Sequence, residues 1–124
     1  MNRIVICGSM RFEKKMIEIK EKLMSEFEVV LPNECNMKCD ETTLSKMHFN
    51  EIANENTKAI LVINGKKGEK DNYIGLHTFS EIGIAFFKDK KIYLLNDYYE
   101  PYKEELEIWH AIPINGDLSK IERK

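Results

Sequence analysis

The sequence predicts an α/β domain in which a parallel sheet is flanked by helices, and two observations carry that expectation. Short continuous apolar runs alternate with longer segments of 3.6-residue period, the pattern of strands buried on both faces between amphipathic helices. The chain has 124 residues, enough for one core and too few for two, so residues 1–124 are read as a single domain.

Ile4-Val5-Ile6-Cys7 reads as a buried first strand. Met16, Ile19 and Leu23, with Ile17 and Met24 beside them, then mark one face of a helix over residues 11–25. Glu28-Val29-Val30-Leu31 is a second strand, stopped by Pro32. Residues 33–42 have no usable period and read as an excursion. Thr42 or Thr43 caps a second helix through Leu44, Met47, Ile52 and Ala53, ending near Asn56. Ala59-Ile60-Leu61-Val62-Ile63 is apolar on both faces, hence a central strand. After a Lys-rich, Gly-punctuated loop over residues 64–75, a buried helix opens near Thr78 and runs through Ile82, Ala85, Phe86 and Phe87. Ile92-Tyr93-Leu94-Leu95 gives a fourth strand, residues 99–109 a fourth helix, and Ile112-Pro113-Ile114 a short edge strand where Pro is tolerated. Asp117 begins a short capped helix in the last eight residues.

The 19 basic and 21 acidic side chains leave a net charge of −2, with no basic field for a nucleic-acid polymer. Apolar runs stop at five or six residues, so no membrane span is expected. Met1-Asn2-Arg3 leads directly into a strand-like run, and the expected location is cytoplasmic. Cys7, Cys35 and Cys39 are odd in number and are read as reduced thiols rather than a disulfide framework.

In a parallel sheet, ligands collect at the carboxyl ends of the strands around the switch in strand order, so the loops at 8–11, 31–43 and 64–78 are expected to meet. Gly8-Ser9-Met10-Arg11 joins the first strand to its helix, where free N–H groups and the positive helix end make an anion seat. Only three of the 19 basic residues are Arg, and Arg11 falls in this turn, where its planar fork suits phosphate or carboxylate. The plainer reading gives Gly8 the turn, Ser9 the helix cap and Arg11 its surface. Neither GxGxxG nor GxxxxGK[ST] occurs, so NAD and ATP readings lose support.

Thr78-x-x-Glu81 reads as a capping box, the hydroxyl accepting from the N–H of Glu81 while the carboxylate reaches back. A carboxylate in the first turn of a buried helix, opposite the Ser9/Arg11 turn, can also attack an anomeric carbon and form a covalent glycosyl intermediate. Tyr73 can orient it by a hydrogen bond, or simply shield the core.

Three stretches together resemble the nucleoside 2-deoxyribosyltransferase-like superfamily. They are Gly8-Ser9-Met10-Arg11-Phe12, the strand ending Val62-Ile63-Asn64, and residues 73–85, followed by a strand after Lys90-Lys91. The superfamily includes transferases that exchange bases on deoxyribonucleosides and hydrolases that cleave nucleoside 5′-monophosphates, and the resemblance spans residues 3–95. It implies a three-layer flavodoxin/Rossmann-like domain with a central, mainly parallel sheet of four to five strands. It also implies Glu81 as nucleophile, a nucleoside held between the first loop and the loop before Glu81, and subunits that complete each other's sites. Characterised members carry Asp or Ser six residues before the nucleophile, where this chain has Gly75, so it sits closer to a less characterised branch.

The resulting expectation is cleavage or transfer at the N-glycosidic bond of a nucleoside or nucleoside 5′-monophosphate, without a cofactor. Glu81 and Tyr73 are catalytic; Gly8, Ser9, Met10, Arg11, Asn64, Gly75 and Thr78 bind substrate. The alternative is a non-catalytic nucleotide-binding or sensing module of the same fold. No metal is assigned: Cys35, Cys39, Asp40 and His48 lack the paired short spacing of a structural zinc site. Cys7 reads as a small core residue, His77 as a surface histidine near enough to act as an acid, and the 66–70 Lys run as a solvated loop or a lid over an anion. Tyr98, Tyr99, Tyr102 and Trp109 exceed what one edge helix buries, suggesting a homodimer or higher oligomer, with core packing as the other account.

Overall fold

In the computed structural model, which describes residues 2–32 and 39–123, alternation along strand β1 (Asn2–Cys7) sets the layers. Ile4 and Ile6 pack with Met16, Ile19 and Leu23 of helix α1 (Glu13–Leu23) on one face. Val5 and Cys7 pack on the other face, with Ile52 of α2 (Glu41–Ala53), Ile82 and Ala85 of α3 (Leu76–Phe87) and Leu106 of α4 (Lys103–Ile108). Side chains on successive strand residues point to opposite faces, so a run apolar at every position demands helices on both sides.

Strands β2 (Phe27–Val30), β3 (Thr57–Val62), β4 (Lys91–Leu94) and β5 (Ile112–Pro113) complete a five-stranded sheet in the order β2-β1-β3-β4-β5. Every pairing is parallel. The chain leaves β1 toward one edge and returns to β3 on the other side, which puts the switch in strand order between β1 and β3. Cys7 lies in register with Val62, so these two strands end level and the loops that follow open into one crevice.

Short 3₁₀ turns cover Met10–Phe12, Glu100–Tyr102 and Leu118–Lys120, and Asp117 caps the last by accepting from the N–H of Ser119. Three expectations at helix starts and faces need correction. Asp40, not Thr42 or Thr43, caps α2, its Oδ1 accepting from the N–H of Thr43 at 2.7 Å. Helix α3 starts at Leu76 behind an extended Gly75, so Thr78 is already inside the helix and the Thr78/Glu81 capping box does not form. Met47 is 40% exposed, and the buried stripe of α2 runs through His48 and Ile52 instead.

Most of the excursion expected at 33–42, with Cys35, lies outside the described residues. Cys39 is disulfide-bonded, which corrects the reading of it as a reduced thiol, whereas Cys7 is a free, buried thiol. The late aromatics are used within the chain: Phe79 stacks on Trp109 and tilts onto Tyr102, and Tyr99 meets Tyr73 and Tyr102 edge-on. Among the described residues, no helix is long and apolar enough to cross a membrane.

Asn64, expected to touch a sugar, belongs to the scaffold. It is fully buried just past β3; its Nδ2 donates to the Asp97 carbonyl at 2.7 Å, and its Oδ1 accepts from the N–H of Asn96 at 2.9 Å. The Asn96 amide donates in turn to the Asn64 carbonyl at 2.9 Å, so Asn64 staples the ends of β3 and β4. An Asn64→Ala substitution leaves the part-buried Asn96 N–H and Asp97 carbonyl without their partner and is expected to cost about 1–3 kcal/mol. Urea unfolding should show this as a lower midpoint at unchanged slope.

Candidate active site

The crevice at the β1/β3 switch is a cavity of about 600 Å³. Gly8, Ser9, Met10 and Arg11 form one wall, and Tyr73, Gly75, Thr78 and Glu81 line it too. Eight of the nine residues that the sequence nominated therefore come together, and Asn64 is the one that does not.

Gly8 makes the first wall possible. Its φ is +150°, and a Cβ there would lie 2.9 Å from the Ile63 carbonyl oxygen and 3.0 Å from Met16 Cε, so any side chain would drive the turn off the end of β3. Ser9 follows as the cap of the 3₁₀ turn, its Oγ accepting from the N–H of Arg11 at 3.3 Å. Phe12 then fixes the turn against the third loop, its ring lying where a side chain on Gly65 would stand.

That third loop folds back on itself. Lys67 and Lys70 exchange two backbone hydrogen bonds of 2.9 Å, and the N–H of Tyr73 donates to the Gly65 carbonyl. Lys67 Nζ donates to the Tyr73 hydroxyl at 3.4 Å and sits 4.5 Å from the ring centroid, which brings a second cation to the cavity with Arg11. The hydroxyl of Tyr73 lies 3.1 Å from where a Cβ on Gly75 would be. Among the described residues no hydrogen bond joins Tyr73 to Glu81; the group that holds Glu81 is His48.

Glu81 is 3% exposed and His48 is 7% exposed, on facing helices α3 and α2. His48 Nε2 contacts the Ile6 carbonyl at 3.1 Å, and since a carbonyl only accepts, Nε2 carries a hydrogen. His48 Nδ1 and Glu81 Oε2 are hydrogen-bonded to each other, and with the Nε2 hydrogen committed to Ile6 a carboxylate on Glu81 is matched by a cationic ring on His48. His77, one turn before Glu81 and 62% exposed, brings its Nε2 within 3.5 Å of the same oxygen. Beneath them, burial first, then the charge and hydrogen bonding of Glu81, push the Cys7 thiol well above its usual range. Donor atoms of Cys7, His48 and Glu81 all lie within 4.8 Å of one another. Among the described residues, these three side chains are the group able to hold a metal ion.

Sequence reasoning missed His48. Its signal was Leu44, His48 and Ile52 at spacings of four, which seats a histidine in the apolar stripe of α2. Also lining the cavity, the first turn of α3 carries the N–H groups of Leu76, His77 and Thr78, which have no helical acceptor, while that of Phe79 already donates to the Gly75 carbonyl. A buried carboxylate with a defined partner thus shares one cavity with two cations, free amides and a phenol, a division suited to an anionic ligand with a reacting centre at Glu81.

No family model matches the chain, and neither does any curated protein. Among solved structures the chain is similar to that of the Clostridium botulinum CMP N-glycosidase BcmB, at 24% sequence identity over 91% of this chain and 88% of that one. The TM-score is 0.59, and the likeness establishes the fold that the two share.

Proposed function

We propose that this chain cleaves the N-glycosidic bond of a nucleoside 5′-monophosphate, with Glu81 as nucleophile and water as acceptor. The observation that carries the proposal is Glu81 itself, a buried carboxylate held by His48 in a cavity that the Ser9/Arg11 turn also lines. The likeness to a structure whose name is that of a CMP N-glycosidase supports the same class of reaction, as does the resemblance of the sequence motifs to the nucleoside 2-deoxyribosyltransferase-like superfamily.

In this reading the phosphate takes the cationic end, on Arg11, Lys67 and free amides. The sugar lies between Tyr73 and Glu81. A Glu81 oxygen attacks C1′, the C–N bond breaks, its electrons stay on the base nitrogen, and the base leaves with a proton that we assign to His77. Water then attacks C1′, the bond between C1′ and the Glu81 oxygen breaks to regenerate the carboxylate, and the proton lost by the water returns to His77. The His48 cation balances Glu81 before attack and after release, so the pair leaves no net charge buried. A phosphate seat favours hydrolysis over exchange between free nucleosides, because the cations have no partner in a free nucleoside.

The alternative, a nucleotide-binding module without turnover, draws on Gly75, which lacks the polar side chain of the characterised enzymes. The Tyr73 hydroxyl beside Gly75 supports catalysis, since it offers a hydrogen bond to the sugar from nearly the same place. An oligomer, with partners completing the cavity, belongs to the same proposal and is read from the elution volume on a sizing column.

A chromatographic screen for free base, over ribo- and deoxynucleosides and their 5′-monophosphates with and without an acceptor base, tests the reaction. Wild type is expected to release base from a monophosphate, and Glu81→Gln to lose at least about 10³-fold in rate while keeping a ligand-induced rise in Tm. No release at high enzyme concentration alongside such a rise selects the binding module.

His48 gives a separate prediction. His48→Ala should lower kcat about 10²-fold with little change in KM, by letting the nucleophile wander. It should also cost stability toward the lower end of about 3–5 kcal/mol, since the cavity lets water reach the carboxylate left behind. His48→Asn, whose amide can still donate to Oε2, should recover part of both; equal losses in the two variants would refute a positioning role.

A further inference from the structure

We propose that Cys7, His48 and Glu81 form a binding site for a borderline-soft divalent cation of the Zn²⁺ class, with its fourth position open to the cavity. The three come from three different elements, the end of β1, the middle of α2 and the second turn of α3, and all three are buried. A thiolate, an imidazole nitrogen and a carboxylate oxygen are a donor set that zinc accepts, and three protein ligands with one open position make an exchangeable site rather than a closed structural one.

The ligand atoms already lie within 4.8 Å of one another. Tetrahedral coordination at ordinary zinc distances asks for roughly 3.3–3.6 Å between donors, a contraction within reach of side-chain torsions. The orientation of His48 is the more telling feature. Its Nε2–H is tied to the Ile6 carbonyl, the outer contact that fixes a metal-bound histidine, and this turns Nδ1 toward Glu81 and Cys7. Binding replaces the Nδ1-to-Oε2 hydrogen bond by two bonds to the ion, and the proton from that contact and the Cys7 thiol proton pass to solvent. His48 and Glu81 line the cavity, which supplies both the entry path and the water for the fourth position.

Occupancy would engage the Glu81 carboxylate, so the ion should switch off the glycosidic reaction; that consequence rests on the function proposed above, whereas the binding does not. Co²⁺ is the probe, in non-reducing buffer so that the disulfide at Cys39 stays closed. One equivalent is expected to give a thiolate-to-metal charge-transfer band with tetrahedral d–d absorption, and one equivalent of Zn²⁺ should displace it. Cys7→Ser should abolish the charge-transfer band and weaken Zn²⁺ binding at least about tenfold. His48→Asn, which leaves β1 untouched, should weaken it comparably, with circular dichroism verifying the fold of each variant. Absence of the band in folded wild type overturns the site, as does Zn²⁺ binding that Cys7→Ser leaves unchanged. A bound ion that leaves base release intact keeps the site and overturns the role of Glu81 in the reaction.

Discussion

A carboxylate almost without access to water is the constraint on which the functional half of this molecule rests. Taking Glu81 out of water costs several kcal/mol unless a partner compensates it, and the partner must come from another element because the capping role that would have satisfied it locally is absent. The partner is His48, so α2 must lie against α3 at one height only. The Ile6 carbonyl then fixes the other ring nitrogen, tying the helix pair to the sheet. A shift of α2 by one residue would take His48 off this face, so the pair specifies helix register as well as charge balance.

The same pair explains why a cavity persists where the core would otherwise close. Below it, Cys7, Ile52, Ile82 and Val62 pack as an ordinary apolar layer; above it, Gly8 at φ +150° keeps the first turn against the end of β3 and away from α3. Phe12 against Gly65 then connects the first and third loops, and Lys67 against Tyr73 holds the third loop closed on itself. Both contacts sit at the carboxyl ends of β1 and β3, where diverging crossovers leave space that no helix fills.

What the sequence made legible follows from which forces are local. Strands β1 and β3 announce themselves because a chain buried on both faces must be apolar at consecutive positions, and the Gly8–Arg11 turn because glycine and a capping serine follow directly. Helix starts were less legible. Thr78-x-x-Glu81 has the letters of a capping box, but two helical residues, Leu76 and His77, fit ahead of Thr78 once Gly75 is extended, and the longer helix places Glu81 in the second turn. Asn64 was misplaced for a related reason: it stands at a strand end where ligands collect, yet its amide is consumed by Asn96 and Asp97, thirty-odd residues away. His48 was hidden because its meaning lies in what α2 packs against, which no window along the chain contains.

Gly75 can be read physically from what surrounds it. A glycine there removes a side chain from the mouth of the cavity, and the phenol of Tyr73 occupies the margin of the space thus freed, its oxygen 3.1 Å from where a Cβ would begin. An alanine would already press on that oxygen, and an aspartate would put a second carboxylate near Glu81, against the charge balance that His48 maintains. Lys67, which donates to the same hydroxyl, makes the exchange coherent: a neutral phenol beside a lysine keeps this wall of the cavity cationic, where a carboxylate would have neutralised it. The glycine, the tyrosine and the lysine therefore act as one unit that presents a neutral hydroxyl and a cation to the cavity and leaves it free of a second carboxylate.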